Sequence, residues 1–174
     1  LFSMEKIGFI GCGHLAKAII NGLSNFEKYN IHGHDRNEVN QNWLQTNGYQ
    51  ASSLKDVVIN CDVVFICVKP KDVISLCNDM KQHISLNKKV VSVAAGIKYR
   101  QIKDCLEDAK IFRAMPNIGS KDNLGITSIF SREESSDIVE LFKHLGEAFV
   151  VEDENNIDLH TSLIGSGPAF FLEI

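Results

Sequence analysis

The sequence predicts an α/β protein with a doubly wound, mostly parallel sheet, and three observations carry that prediction. Short strand-like apolar runs alternate with stretches whose apolar residues recur at helical spacing from residue 6 to residue 151. The run Val63-Val64-Phe65-Ile66-Cys67-Val68 is apolar without a break, as a strand covered on both faces would be. The connections between these segments are short, with no Pro- or Ser-rich linker among them.

Lys6-Ile7-Gly8-Phe9-Ile10-Gly11 reads as the first strand, and residues 15–23 carry apolar side chains at helical spacing directly after it. Residues 29–34 read as the second strand, and residues 36–46, with Val39, Trp43 and Leu44 on one stripe, read as the returning helix before Gly48. Ser53 caps a short helix over residues 53–59, and residues 62–68 form the central strand, which Lys69-Pro70 ends. A helix over 72–83, a strand over 89–93, a helix over 98–106 and a strand over 111–115 continue the alternation. Beyond the Pro116-Asn117 loop, a strand at 125–130, a helix at 133–145 and a strand at 148–151 extend the same domain.

Residues 4–152 therefore read as one domain, and residues 153–174 as a segment whose end either folds back on that domain or, as its rising apolar pattern favours, starts a truncated or interface-forming helix. The helical patterns at 158–163 and 169–174 end amid large apolar residues without a cap, and such side chains require a partner. Leu1-Phe2-Ser3 precede Met4, which reads as the natural start, and stand outside the fold reading.

A chain of 174 residues with 44% hydrophobic and 23% charged residues builds one sizeable core, which excludes a disordered tail, collagen or a coiled coil. Its net charge of −4 offers no footprint for nucleic acid or anionic lipid, so neither is an expected partner. The longest apolar run is far below the roughly 20 residues of a membrane span, and no leader pattern precedes the first strand. The expected location is the cytoplasm. The five cysteines form no C-x-x-C pair, and His32 with His34 lacks a third ligand, so no disulfide framework and no metal is expected.

Gly11-Cys12-Gly13-His14-Leu15-Ala16 is G-x-G-x-x-A placed immediately after a strand and opening a helix. Gly11 permits the tight turn, Gly13 lets a pyrophosphate approach the backbone, and Ala16 allows close helix-to-strand packing. Free amides and the dipole at the helix start then favour the phosphates. This is the dinucleotide signature of a Rossmann-like domain. Asp35, at the end of the second strand, is placed to accept hydrogen bonds from an adenosine ribose and so favours NAD, whereas Arg36 beside it suits the extra phosphate of NADP. Both cofactors stay open.

The opening Ile7-Gly8-Phe9-Ile10-Gly11-Cys12-Gly13-His14-Leu15-Ala16 resembles that of pyrroline-5-carboxylate reductases. Four further blocks agree in family order: Asp62-Val63-Val64-Phe65-Ile66-Cys67-Val68-Lys69-Pro70, Val91-Ser92-Val93-Ala94-Ala95-Gly96-Ile97, Arg113-Ala114-Met115-Pro116-Asn117, and Gly165-Ser166-Gly167-Pro168-Ala169. The chain departs from the family pattern at Ile118-Gly119, at Ile164 and at Leu54.

The resemblance implies NADPH- or NADH-dependent reduction of 1-pyrroline-5-carboxylate to proline without a metal. Carried over by position, Gly11, Cys12, Gly13, His14 and Leu15 with Asp35 and Arg36 would hold the adenosine diphosphate part. Val68, Lys69, Pro70, Ala94, Ala95, Gly96 and Asn117 would line the nicotinamide crevice, and Met115, Pro116, Asn117, Ser166 and Gly167 would face the substrate. These crevice segments are expected to follow strand ends, where open α/β sheets bind ligands. Family enzymes continue into helices that dimerise and supply the candidate proton donor, so a homo-oligomer is implied and no catalytic residue is named within this chain. Two other readings fit the same residues: a non-catalytic dinucleotide-binding module, and another imine or keto reductase sharing the domain.

Overall fold

The computed structural model describes residues 4–118 and 125–158. β1 (Glu5–Ile10) passes through the glycine turn into α1 (His14–Leu23), and β2 (Tyr29–His34), α2 (Glu38–Thr46), the two-residue β3 (Gln50–Ala51) and α3 (Leu54–Asn60) follow. β4 (Val63–Ile66), α4 (Val73–Met80), β5 (Lys89–Ser92), α5 (Tyr99–Cys105) and β6 (Lys110–Asn117) repeat the unit, and β7 (Gly125–Phe130), α6 (Ser136–Lys143) and β8 (Gly146–Val150) complete it.

The strands lie in one sheet in the order β3-β2-β1-β4-β5-β6-β7-β8. β1 through β6 pair in parallel, β7 runs antiparallel to β6, and β8 pairs in parallel with β7. The chain moves outward from β1 to β3 and then crosses back to lay β4 on the other side of β1. This reversal opens a crevice at the carboxyl ends of β1 and β4.

Alternation along each strand divides the core between the two faces of the sheet. Ile7, Phe9, Phe65, Val91 and Phe112 pack under α1 and α6 against Ile19, Ile20, Leu23, Leu141 and Phe142. Val64, Ile66, Val90 and Ile111 pack under α3, α4 and α5 against Val57, Val58, Cys77, Met80 and Ile102. Both faces of β4 are covered, so all of Val63, Val64, Phe65 and Ile66 are buried, which accounts for the unbroken apolar run. Phe65 stacks on Phe9 with ring centroids 4.8 Å apart and meets the edge of Phe142 at 5.8 Å. Burying one such ring contributes about 2–3 kcal/mol.

The helix over 36–46 is shorter than its apolar stripe suggests. Asn37 Oδ1 accepts the Val39 amide at 2.9 Å, so Asn37 caps α2 and Arg36 stays outside it. Ser53 caps α3 as expected, its hydroxyl accepting the Asp56 amide at 3.1 Å. The helix over 72–83 is broken into a 3-10 turn (Pro70–Asp72), α4, and a second 3-10 turn (Lys81–His83). The helix over 133–145 begins only at Ser136, because Ser131, Ser135 and Glu134 bond neighbouring backbone groups and hold residues 131–135 as turns. β3 is too short to show alternation.

β6 corrects the sequence reading in a way that matters for the site. Pro116 and Asn117 do not form a loop after the strand; they continue it beyond Met115, the three standing in turn opposite Ser128, Thr127 and Ile126 of β7. β5 ends opposite Arg113, so the last part of β6 is paired by β7 and tolerates a proline.

Residues 154–158 are helical. The helical patterns expected beyond residue 158, and the block holding Ser166 and Gly167, lie outside the described residues. Among the described residues, no helix is long and apolar enough to cross a membrane.

Candidate functional site

The crevice at the β1/β4 switch point is a cavity of about 430 Å³. Its walls are Gly11, Cys12 and Gly13 after β1, Asp35, Arg36 and Asn37 after β2, and Cys67, Val68 and Lys69 after β4. Asn40 of α2, Leu54 of α3, and Lys71, Asp72, Ser75, Leu76 and Asp79 from the α4 side complete it. Another hollow, of about 630 Å³, lies between Phe26, Lys143, His144 and the starts of β7 and β8. It has neither a glycine turn nor the exits of β1 and β4, and open α/β sheets do not bind nucleotides in such a place.

Gly11 has φ +85°, and a Cβ there would stand 2.8 Å from both the carbonyl carbon and oxygen of Cys67. A side chain is excluded both by backbone conformation and by space. The Gly11 amide donates to His34 O at 2.9 Å, and the Cys67 amide donates to Ile10 O at 2.8 Å, so the exits of β1, β2 and β4 are laced together. Gly13 is different. It is the N-cap of α1, has no side-chain cap, and a Cβ on it would meet no atom within 4 Å. The first turn of α1 carries no acidic residue. An uncapped, unobstructed helix start of this kind fits a diphosphate.

Asp35 faces into the turn. Its Oδ2 accepts the Cys12 amide at 2.7 Å and the Asn40 amide group at 2.9 Å, while Oδ1 accepts the Asn37 amide at 2.7 Å. Burial works against the charge, but the bonds from Asn37, Cys12 and Asn40 outweigh it and hold the carboxyl below the usual aspartate range. Asn40 in turn accepts from Lys17 Nζ at 2.9 Å, and that ammonium sits 5.2 Å from the centre of the Trp43 ring. His34 Nδ1 donates to Ser52 O at 2.9 Å.

The side chains of Arg36, Lys69 and Lys71 are exposed and hold no hydrogen bond or ion pair among the described residues, so three cations of this cavity are free to meet an anion. The thiols are unsuited to nucleophilic work. Burial and the Asp35 charge push Cys12 up to about 12, and burial pushes Cys67 up as well.

Of the residues expected from sequence, the cavity gathers Gly11, Cys12, Gly13, Asp35, Arg36, Val68 and Lys69. His14 and Leu15 are exposed at the start of α1, and Pro70 opens the following 3-10 turn; none of the three lines the cavity. Ala94 is buried in the core under α5, and Ala95 and Gly96 are exposed beside it. Met115 packs against the same core cluster from within β6. Sequence reasoning missed Asn40, Lys71, Ser75 and Asp79. The helix after the switch-point strand flanks such a crevice, which is the one signal that could have found the α4 residues. Among the described residues, no three His, Cys, Asp or Glu side chains are grouped to hold a metal ion.

Sheet order, switch point and glycine turn together define a Rossmann-like α/β domain, and the family model "NADP oxidoreductase coenzyme F420-dependent" matches residues 6–96. The chain is 32% identical over 177 residues to a pyrroline-5-carboxylate reductase of Escherichia coli (strain K12), and 31% identical over 181 residues to one of Methanosarcina acetivorans. It belongs to the pyrroline-5-carboxylate reductase family. The alignments cover 95% and 98% of this chain but 65% and 67% of those relatives, so the chain spans about two thirds of their length. The solved pyrroline-5-carboxylate reductase of Coxiella burnetii superposes with a TM-score of 0.85 at 27% identity, over 97% of this chain and 67% of that one.

Proposed function

We propose that this chain is the cofactor-binding portion of a pyrroline-5-carboxylate reductase, and that its crevice holds NADPH in preference to NADH. One observation carries the preference: all three hydrogen bonds to the Asp35 carboxylate are made within the protein, while Arg36, Lys69 and Lys71 stand free around the same cavity. An acidic side chain with three of its roughly four acceptor sites taken by amides is a poorer acceptor for a ribose diol, and a free guanidinium is a good partner for a ribose phosphate.

In this reading the uncapped start of α1 at Gly13 holds the diphosphate, and Gly11 keeps the turn close to the β4 exit. Val68, Lys69 and Pro70, with Ala94, Ala95 and Gly96, border the nicotinamide, and Asn117 with Met115 and Pro116 borders the substrate. When bound, the reduced dinucleotide supplies a hydride to the C=N carbon of 1-pyrroline-5-carboxylate, giving proline. Residues 4–152 form the nucleotide-binding domain and 153–174 begin a helical one, through whose continuation a cytoplasmic homo-oligomer assembles.

Trp43 is the chain's single tryptophan and lies on α2 near Lys17, Asn40 and Asp35, so its emission reports the adenosine side of the crevice. Titration with NADPH and NADH is expected to show saturable quenching by both, with at least a tenfold tighter midpoint for NADPH, about 1.4 kcal/mol. Equal midpoints would remove the preference, and no binding of either would remove the cofactor assignment.

A further inference from the structure

Arg113, within β6, is the largest fully buried side chain among the described residues, at 1% exposure. A cation withdrawn that far from water persists only when its donors are well matched. Nη1 donates to Glu154 Oε1 at 2.8 Å and Nη2 donates to Asp158 Oδ1 at 3.1 Å, while Nε has no partner among the described residues. Glu154 and Asp158 stand one turn apart on the helical residues 154–158, so the two arms of one guanidinium grip one face of that turn.

The same carboxylates are shared with the start of α5. Glu154 Oε1 also accepts the Tyr99 amide, and Asp158 Oδ2 accepts Lys98 Nζ at 3.1 Å. Lys98 and Tyr99 directly follow residues 94–97, the loop that leaves β5. Ile157 is fully buried in the cluster that holds Ala94, Tyr99 and Phe130, and Ile97 and Met115 pack against that cluster. Strand β6, the loop after β5 and the 154–158 turn are thus tied through two carboxylates and one guanidinium.

We propose that Arg113 is a positioning residue of the crevice: by seating Glu154 and Asp158 against Lys98 and Tyr99, it fixes the loop 94–97 and the direction in which the chain leaves the sheet. The inference rests on the dinucleotide reading of the crevice and goes beyond it, because it assigns a role to a side chain that lines no part of the cavity. Filling the space alone would not call for a guanidinium. Uncharged side chains of similar volume at all three positions would avoid the desolvation of the buried guanidinium and its two part-buried carboxylates, and such joint replacements are often neutral or stabilising. What an apolar side chain lacks is the fork, which selects one placement of two carboxylates.

The test compares the wild-type chain with the triple variant Arg113→Met/Glu154→Gln/Asp158→Asn, which leaves no unpaired buried charge and so keeps the sheet folded. Amide hydrogen exchange is expected to quicken about tenfold or more at residues 94–99 and 153–158, with β1 and β4 unchanged. Unchanged exchange at 94–99 would overturn the proposal. Affinity for NADP is expected to fall about tenfold while affinity for 2′,5′-ADP, its adenosine half, stays the same. Equal losses for both would mean general damage to the fold and would overturn it too. If the wild-type chain binds neither nucleotide, the crevice reading fails, and the exchange at 94–99 still decides the role of Arg113.

Discussion

The carboxylate of Asp35, at the exit of β2, accepts the backbone amide of Cys12, in the turn after β1, at 2.7 Å. The turn that opens α1 is thereby held from the neighbouring strand. Arginine, lysine and amide groups of the cavity remain available, but this amide and this carboxylate have already found each other.

Asp35→Ala therefore tests a structural bond as much as a ligand contact. Three hydrogen bonds to one charged, partly exposed group are lost, and a destabilisation of about 1–2 kcal/mol is expected in urea unfolding. A side chain that served only a ribose would leave the unfolding midpoint of the free chain unmoved.

The two glycines of the turn separate stability from binding. Gly11→Ala places a Cβ 2.8 Å from the Cys67 carbonyl at φ +85° and is expected to cost more than about 2 kcal/mol in thermal or urea unfolding. Gly13→Ala meets nothing within 4 Å, so it should cost at most about 1 kcal/mol yet weaken NADPH quenching of Trp43 at least tenfold.

Arg36→Ala is expected to lower NADPH affinity by about tenfold or more and to leave NADH affinity within twofold, because only the first ligand offers a phosphate at the ribose. Parallel titrations of the variant decide the matter. A matched loss on both cofactors would place Arg36 elsewhere than at that phosphate.

Acid should weaken the fold through two identified carboxylates. At Asp35, burial is outweighed by the bonds from Asn37, Cys12 and Asn40; at Asp158, it is outweighed by the Lys98 bond and the Arg113 charge. Both folded values lie below the unfolded ones, so the stability they contribute is complete above the ordinary aspartate value near pH 4 and is lost as pH falls through the depressed values. Urea midpoints should decline gently below about pH 6.5, where His32 and His144, lowered by burial, resist protonation in the fold, and then fall steeply below about pH 4. The Asp35→Asn/Asp158→Asn variant should show a shallower fall over that acid range.

Local signals in the sequence carried much of this architecture, and long-range ones were hidden. The unbroken run at Val63 to Val68 announced a strand covered on both faces, and Ser53 announced the start of α3. Gly11 was legible because a turn needing positive φ has few alternatives. The Asp35–Cys12 bond was not legible, since an acidic residue at that place reads equally well as a ribose acceptor. Asn40 escaped because its partners Asp35 and Lys17 lie on two other elements. Pro116 looked like the end of a strand, and only the pairing of β6 with β7 shows why it sits inside one.

The placement of β1 between β2 and β4 has a consequence for how the chain is made. During synthesis, the first strand can find β2 early, but its other edge waits until Val63 and the residues after it have emerged. For that interval Phe9 lacks the Phe65 ring it stacks on, and the open edge is a template for a neighbouring chain. Fragments that stop short of β4 should aggregate, whereas those that include it gain the partner that closes the centre of the sheet.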